Sequence, residues 1–107
     1  MSGKRKTIPK ILKNLVWNEY IGKRNGIGPC FCCKKEIDSK DFECGHIVPV
    51  SKGGKTNLTN LRPVCSCCNK SMGTENLMDF KYKYFDIERK TIVYYFDKIE
   101  KLINIIR

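Results

Sequence analysis

No alanine and no glutamine occur among the 107 residues, an omission that points to the codon usage of an AT-rich genome and has no bearing on chemistry. No apolar run approaches the roughly 20 residues of a membrane span. The basic start, MSGKRKTIPK, is followed by no apolar secretory core. These absences lead us to expect an intracellular, reducing location and no membrane partner. No linker or internal repeat divides the chain, so residues 1–107 are expected to form one small domain. A core of that size is modest and often needs a staple. Acidic residues are scarce as well. The chain carries 21 Lys and Arg against 11 Asp and Glu, a formal charge of +10. Residues 1–70 hold fourteen of the cations and only five of the acids. Such an excess suits a polyanion, nucleic acid before an anionic membrane.

Seven cysteines are present, and in a reducing compartment they argue for metal rather than disulfides. Cys30/Cys33 and Cys65/Cys68 form two Cys-x-x-Cys knuckles. Each spacing lets both sulfurs of one turn reach one ion, and two such pairs make a tetrahedral four-thiolate zinc site. Four thiolates leave no open position, so this zinc is expected to be structural. Cys32 and Cys67 offer an alternative frame, but 30/33 and 65/68 alone give the x-x spacing twice. With Cys44, they are expected to be buried small residues or free thiols.

Residues 1–7 read as a basic arm. Helical periodicity runs from Pro9 to about Ile21, with Ile11, Leu12, Leu15, Val16 and Tyr20 on one face and Gly22 as the stop. Trp17 is expected to pack under the zinc knuckle. Residues 22–29, GKRNGIGP, read as a loop. A turn with a short strand spans Lys34 to Phe42, and a second strand runs from Glu43 to Val50, interrupted by Pro49. Ser51 to Leu61 is a long loop in which Gly53-Gly54 permits a reversal. Arg62 to Val64 is extended, and a short helix starts near Cys68, carries Asn69 and ends by Gly73. Thr74 is the expected N-cap of a helix reaching the 80s, with Leu77, Met78, Phe80 and Phe85 as buried candidates. Thr91 to Arg107 repeats the helical pattern. Its apolar stripe packs on its own domain or forms a homodimer seam.

Between and beside the knuckles lie Gly45-His46-Ile-Val-Pro49, Gly53-Gly54, Asn60-Leu61 and Cys68-Asn69. His46 is the only histidine; Asn60 follows it by fourteen positions and Asn69 follows Asn60 by nine. With the four cysteines, this set over residues 30–73 resembles the HNH nuclease family. Small proteins of large DNA viruses and phages look similar around GHI and NLRPVC. The resemblance implies an α+β fold: a small zinc-stapled ββα-metal core flanked by an N-terminal helix (8–29, with its loop) and C-terminal helices (74–107). It also implies a metal-dependent DNA endonuclease. His46 would be the general base, Asn60 would tie down the loop and hold the His backbone, and Asn69 would be an oxygen ligand of catalytic Mg²⁺ or Mn²⁺. An imidazole titrating near neutral pH suits the first role. Gly45 departs from the pattern, since many members carry an Asp cation ligand there. Glu43, two residues earlier on the same strand face, is the expected replacement, and Asp41 a weaker one.

Lys52, Lys55, Arg62 and Lys70, with Lys23, Arg24, Lys34 and Lys35 around the first knuckle, are candidate DNA-phosphate contacts. Two other readings remain open: a catalytically inactive zinc-stapled DNA-binding module, which Gly45 makes credible, and an assembly protein using its last helix.

Overall fold

The computed structural model describes residues 7–85. The basic tract at Lys4–Lys6 and the helix expected over Thr91–Arg107, with its dimer seam, lie outside them. Chain order is α1 (Lys10–Trp17), β1 (Ile27–Pro29), β2 (Glu36–Asp38), β3 (Glu43–His46), β4 (Leu61–Val64), α2 (Ser66–Met72) and α3 (Leu77–Tyr84). The fold is α+β, with two antiparallel hairpins, β1–β2 and β3–β4.

Pro9 precedes α1, where its missing N–H costs nothing. The helix continues through a wider π turn, Asn18–Gly22, and stops where Gly22 takes φ +145°. The expected apolar face is only half right. Val16 and Trp17 are buried and Leu12 and Tyr20 pack beside the core, but Ile11 is 72 % and Leu15 48 % exposed. The buried stripe is therefore rotated toward Trp17, which the periodicity had left off it. Trp17 lies in the same core cluster as the knuckle cysteine Cys30. Its ring packs 4.9 Å from that of Phe42, and its Nε1–H donates to the Asn25 carbonyl at 2.7 Å. Both halves of the indole are satisfied.

The loop expected at 22–29 contains β1, paired Ile27↔Asp38, Gly28↔Ile37 and Pro29↔Glu36. Three residues with Gly at the centre and Pro at the end carry almost no strand propensity. The pairing comes from the partner strand and from the knuckle that joins the two. That knuckle is closed by Cys30 N–H to Lys35 O (2.7 Å) and Lys34 N–H to Cys30 O (3.1 Å), with Lys34 held at φ +67°.

In the second hairpin Glu43 pairs with Val64, Cys44 with Pro63, Gly45 with Arg62 and His46 with Leu61. Strand β3 ends at His46, earlier than expected, and a helical turn forms at Val50–Lys52. Helix α2 starts earlier than expected, at Ser66, because the Cys65 sulfur caps it by accepting from Cys68 N–H at 3.3 Å. Asn76, not Thr74, caps α3; its Oδ1 accepts from Met78 N–H at 2.9 Å and Asp79 N–H at 3.3 Å. Leu77 and Phe80 face the core, while Met78 and Phe85 are exposed. The core lies between α1 and the β3–β4 hairpin, with α2 and α3 closing it.

Candidate active site

The two knuckles converge. The sulfurs of Cys30, Cys33, Cys65 and Cys68 all lie within 4.8 Å of one another. Cys33 and Cys65 sulfurs are 3.8 Å apart, which matches the edge of a tetrahedron with Zn–S bonds of about 2.3 Å. Backbone N–H groups point at two of the sulfurs: Cys65 N–H at Cys30 and Cys68 N–H at Cys65, both 3.3 Å. Such donors favour thiolate. Cys30 is the most acidic of the thiols, lowered to about 3 chiefly by a hydrogen bond from Cys32. Burial pushes the Cys33 and Cys68 thiols up. A bound dication removes that penalty, because a coordinating thiol is deprotonated outright. The cluster is compatible with zinc. Cys32 is buried but outside the tetrahedron, Cys44 is a buried thiol raised to about 11 by burial, and Cys67 is exposed.

Asn60 grips the chain just beyond His46. Its Oδ1 accepts from Val48 N–H at 2.9 Å, and its Nδ2 donates to the carbonyls of Val48 (3.1 Å) and Lys55 (2.8 Å). Its own backbone carbonyl accepts from Ile47 N–H at 2.8 Å. Three of these hydrogen bonds join the start and end of the 48–60 excursion, and the one to Lys55 ties down its middle. Gly54 is required there, because a Cβ would fall on the Val48 carbonyl. His46 Nε2 lies 2.9 Å from the Thr56 hydroxyl. Thr56 orients the imidazole, and sequence reasoning missed it. Ten residues separate it from His46 in a loop with no periodicity, so only the tertiary fold brings them together.

Glu43 and Asn69 also meet: Asn69 Nδ2 donates to Glu43 Oε1 at 2.8 Å. That bond, a second from Ser66, and the nearby Lys70 and Lys13 hold the Glu43 carboxyl below its usual range. It is therefore ionised at neutral pH. Any stability it adds is present there and is lost as the pH falls through its lowered value. One carboxylate and one amide oxygen, once the amide turns, are a donor pair suited to a hard cation that keeps several waters. The Asp41 carboxylate is not part of this pair.

Gly45 is enclosed. A Cβ built on it would meet Leu77 Cδ1 at 3.0 Å, Val64 Cγ2 at 3.2 Å and Met72 Cε at 3.3 Å. Position 45 looks into hydrocarbon, so no side-chain cation ligand fits there. Alternation along β3 sets Glu43 and Gly45 on one face and Cys44 and His46 on the other. Of the expected phosphate contacts, Lys23, Arg24, Lys34, Lys35, Lys52, Lys55 and Lys70 are exposed. Arg62 is only half exposed. Its guanidinium stacks 4.0 Å over the Tyr20 ring, and Nη1 donates to the carbonyls of Thr59 (3.1 Å) and Leu61 (2.8 Å). That cation braces the hairpin against the π turn that follows α1.

A family model described as HNH endonuclease matches residues 30–84, just over half of the chain. The match begins at the first zinc knuckle and ends with α3, so the helix that covers Gly45 belongs to the same unit. No curated protein and no solved structure matches.

Proposed function

The chain belongs to the HNH endonuclease family, and from that premise we propose that it is a divalent-cation-dependent DNA endonuclease with His46 as general base. His46 takes the proton of a water as its oxygen attacks the phosphorus. The P–O3′ bond breaks, and the departing 3′-oxygen takes a proton from solvent, leaving a 3′-hydroxyl and a 5′-phosphate. Thr56 orients the imidazole and Asn60 fixes the backbone that presents it. Glu43 and Asn69 would hold the cation, which supplies charge neutralisation at the leaving oxygen. The four cysteines, with zinc bound, anchor both ends of this segment, and the basic surface binds the substrate backbone. Lys52 and Lys55 lie on the same loop as Thr56 and are the proposed nearest phosphate contacts, with Lys70 beside Asn69. Arg62, spent on the fold, is left out.

The observation that carries the reading is the double pairing inside the family segment: His46 on Thr56 at 2.9 Å and Glu43 on Asn69 at 2.8 Å. A second reading, a zinc-stapled DNA-binding module without catalysis, is favoured by the hydrocarbon around Gly45. It is also favoured by the opposite faces of His46 and Glu43. Supercoiled plasmid incubated with Mg²⁺ or Mn²⁺, beside His46→Ala, separates the two. Nicking that vanishes in the variant and in a chelator that spares the zinc is the expected result. DNA binding without nicking under any divalent ion establishes the second reading instead.

A further inference from the structure

A second charged feature lies on the other side of Trp17 and Phe42 from the core. Three segments, residues 7–18, 23–26 and 39–42, enclose a groove of about 1040 Å³. Among the described residues five cations line it, Lys10, Lys13, Lys23, Arg24 and Lys40, and no Asp or Glu does. Four of them, Lys10, Lys13, Lys23 and Arg24, lie outside the family segment. Its neutral polar lining, including Asn14, Asn18 and Asn25, offers amide donors of the kind that meet phosphate oxygens. The aromatic floor is closed: Trp17 and Phe42 are 3 % and 6 % exposed. Bases therefore have no ring face to stack on.

We propose that this groove is a second DNA-contact surface, which takes the sugar–phosphate backbone of the duplex arm flanking the cleaved bond. Like charges within a Debye length of about 8–10 Å repel one another; Lys13 is offset in part by the Glu43 carboxylate, and a polyanion relieves the remaining repulsion. The groove is far larger than one phosphate needs, and its cations come from three segments, as a run of phosphates would require. It also adjoins the candidate cation site through Phe42, the residue before Glu43. Lys13 is held over the Phe42 ring, 5.2 Å from its centroid, and its charge reaches the Glu43 carboxylate on the next residue. The identity of the polymer rests on the nuclease reading; the groove itself does not.

The test is binding, separated from cutting. Lys10→Gln/Lys23→Gln/Arg24→Gln is compared with Lys81→Gln/Lys83→Gln, both in a His46→Ala background, by anisotropy of a labelled duplex across a salt series. Lys13 is kept because it also faces Glu43. Zinc content and circular dichroism confirm that each variant folds. The groove variant should lose ten-fold or more in affinity. Its slope of log K against log salt should fall by about 2–3, at roughly 0.9 per phosphate contact. An affinity and slope equal to the control overturn the proposal. So does sedimentation with phosphatidylserine vesicles that needs the three cations while DNA binding does not. Groove-dependent binding in a chain that never nicks plasmid overturns the nuclease reading alone.

Discussion

Gly45→Asp restores the residue many family members carry and is expected to damage the protein. The backbone at Gly45 is ordinary extended strand, so conformational strain plays no part. What decides is the surroundings: Leu77 and Val64 are 0 % exposed and Met72 5 %, and all three lie within 3.0–3.3 Å of where a Cβ would stand. Overpacking of this kind costs about 1–3 kcal/mol. The carboxyl then faces hydrocarbon with no partner. It will be kept neutral at pH 7, about three units above its usual pKa, which costs about 4 kcal/mol at 1.36 kcal/mol per unit. Together these approach the whole stability of a small domain, about 5–15 kcal/mol. Urea unfolding of the zinc-loaded protein should place Gly45→Ala about 1–3 kcal/mol below wild type and leave Gly45→Asp largely unfolded. If Gly45→Asp folds as well as Gly45→Ala and binds Mn²⁺ more tightly than wild type, a cation reaches position 45. The hydrocarbon enclosure, and the assignment of Glu43 in its place, would then be wrong.

Three further outcomes follow from the geometry. Cys30→Ser or Cys65→Ser should abolish one-to-one zinc binding and cooperative folding, whereas the exposed Cys67→Ser should keep both, by metal analysis and circular dichroism. Thr56→Val should lower kcat about ten-fold, equivalent to roughly 1.4 kcal/mol, with KM and zinc content unchanged. Thr56→Ser should recover most of it, and equal loss in both variants would mean that the hydroxyl does not orient His46. Asn60→Leu leaves the Val48 and Lys55 backbone groups without their side-chain partner, at a cost of about 1–3 kcal/mol in urea unfolding. A cost under half of that would show that water replaces the amide.

What was legible in the sequence was whatever had a fixed spacing. The x-x interval of the knuckles identified which four of seven cysteines converge, and the period of two along a strand put Glu43 on the face of position 45, where it meets Asn69. Features set by packing were not legible. Ile11 and Leu15 keep helical period with Val16, yet the helix is rolled so that Trp17 is inside and they are not. Strand β1 was hidden because Gly28 and Pro29 read as punctuation; its pairing is imposed by the knuckle it leads into. Thr74 and Asn76 are both acceptable caps, Asn the stronger, and the Leu77 N–H bond to the Ile47 carbonyl, 3.0 Å, fixes where α3 begins. Thr56 left no local trace, since its partner is defined only when the 48–60 excursion has closed.

The four sulfurs come from two turns that bracket both His46 and Asn60; besides the sulfurs, the Phe31 N–H bond to the Pro63 carbonyl, 2.9 Å, and shared core packing tie the first turn to the region of the second. Four buried or half-buried sulfurs within 4.8 Å of one another are costly to ionise together, so an ion is expected to strengthen this junction most. On the nuclease reading, ion uptake would then have to come before any cutting, because the ion locks the two turns together.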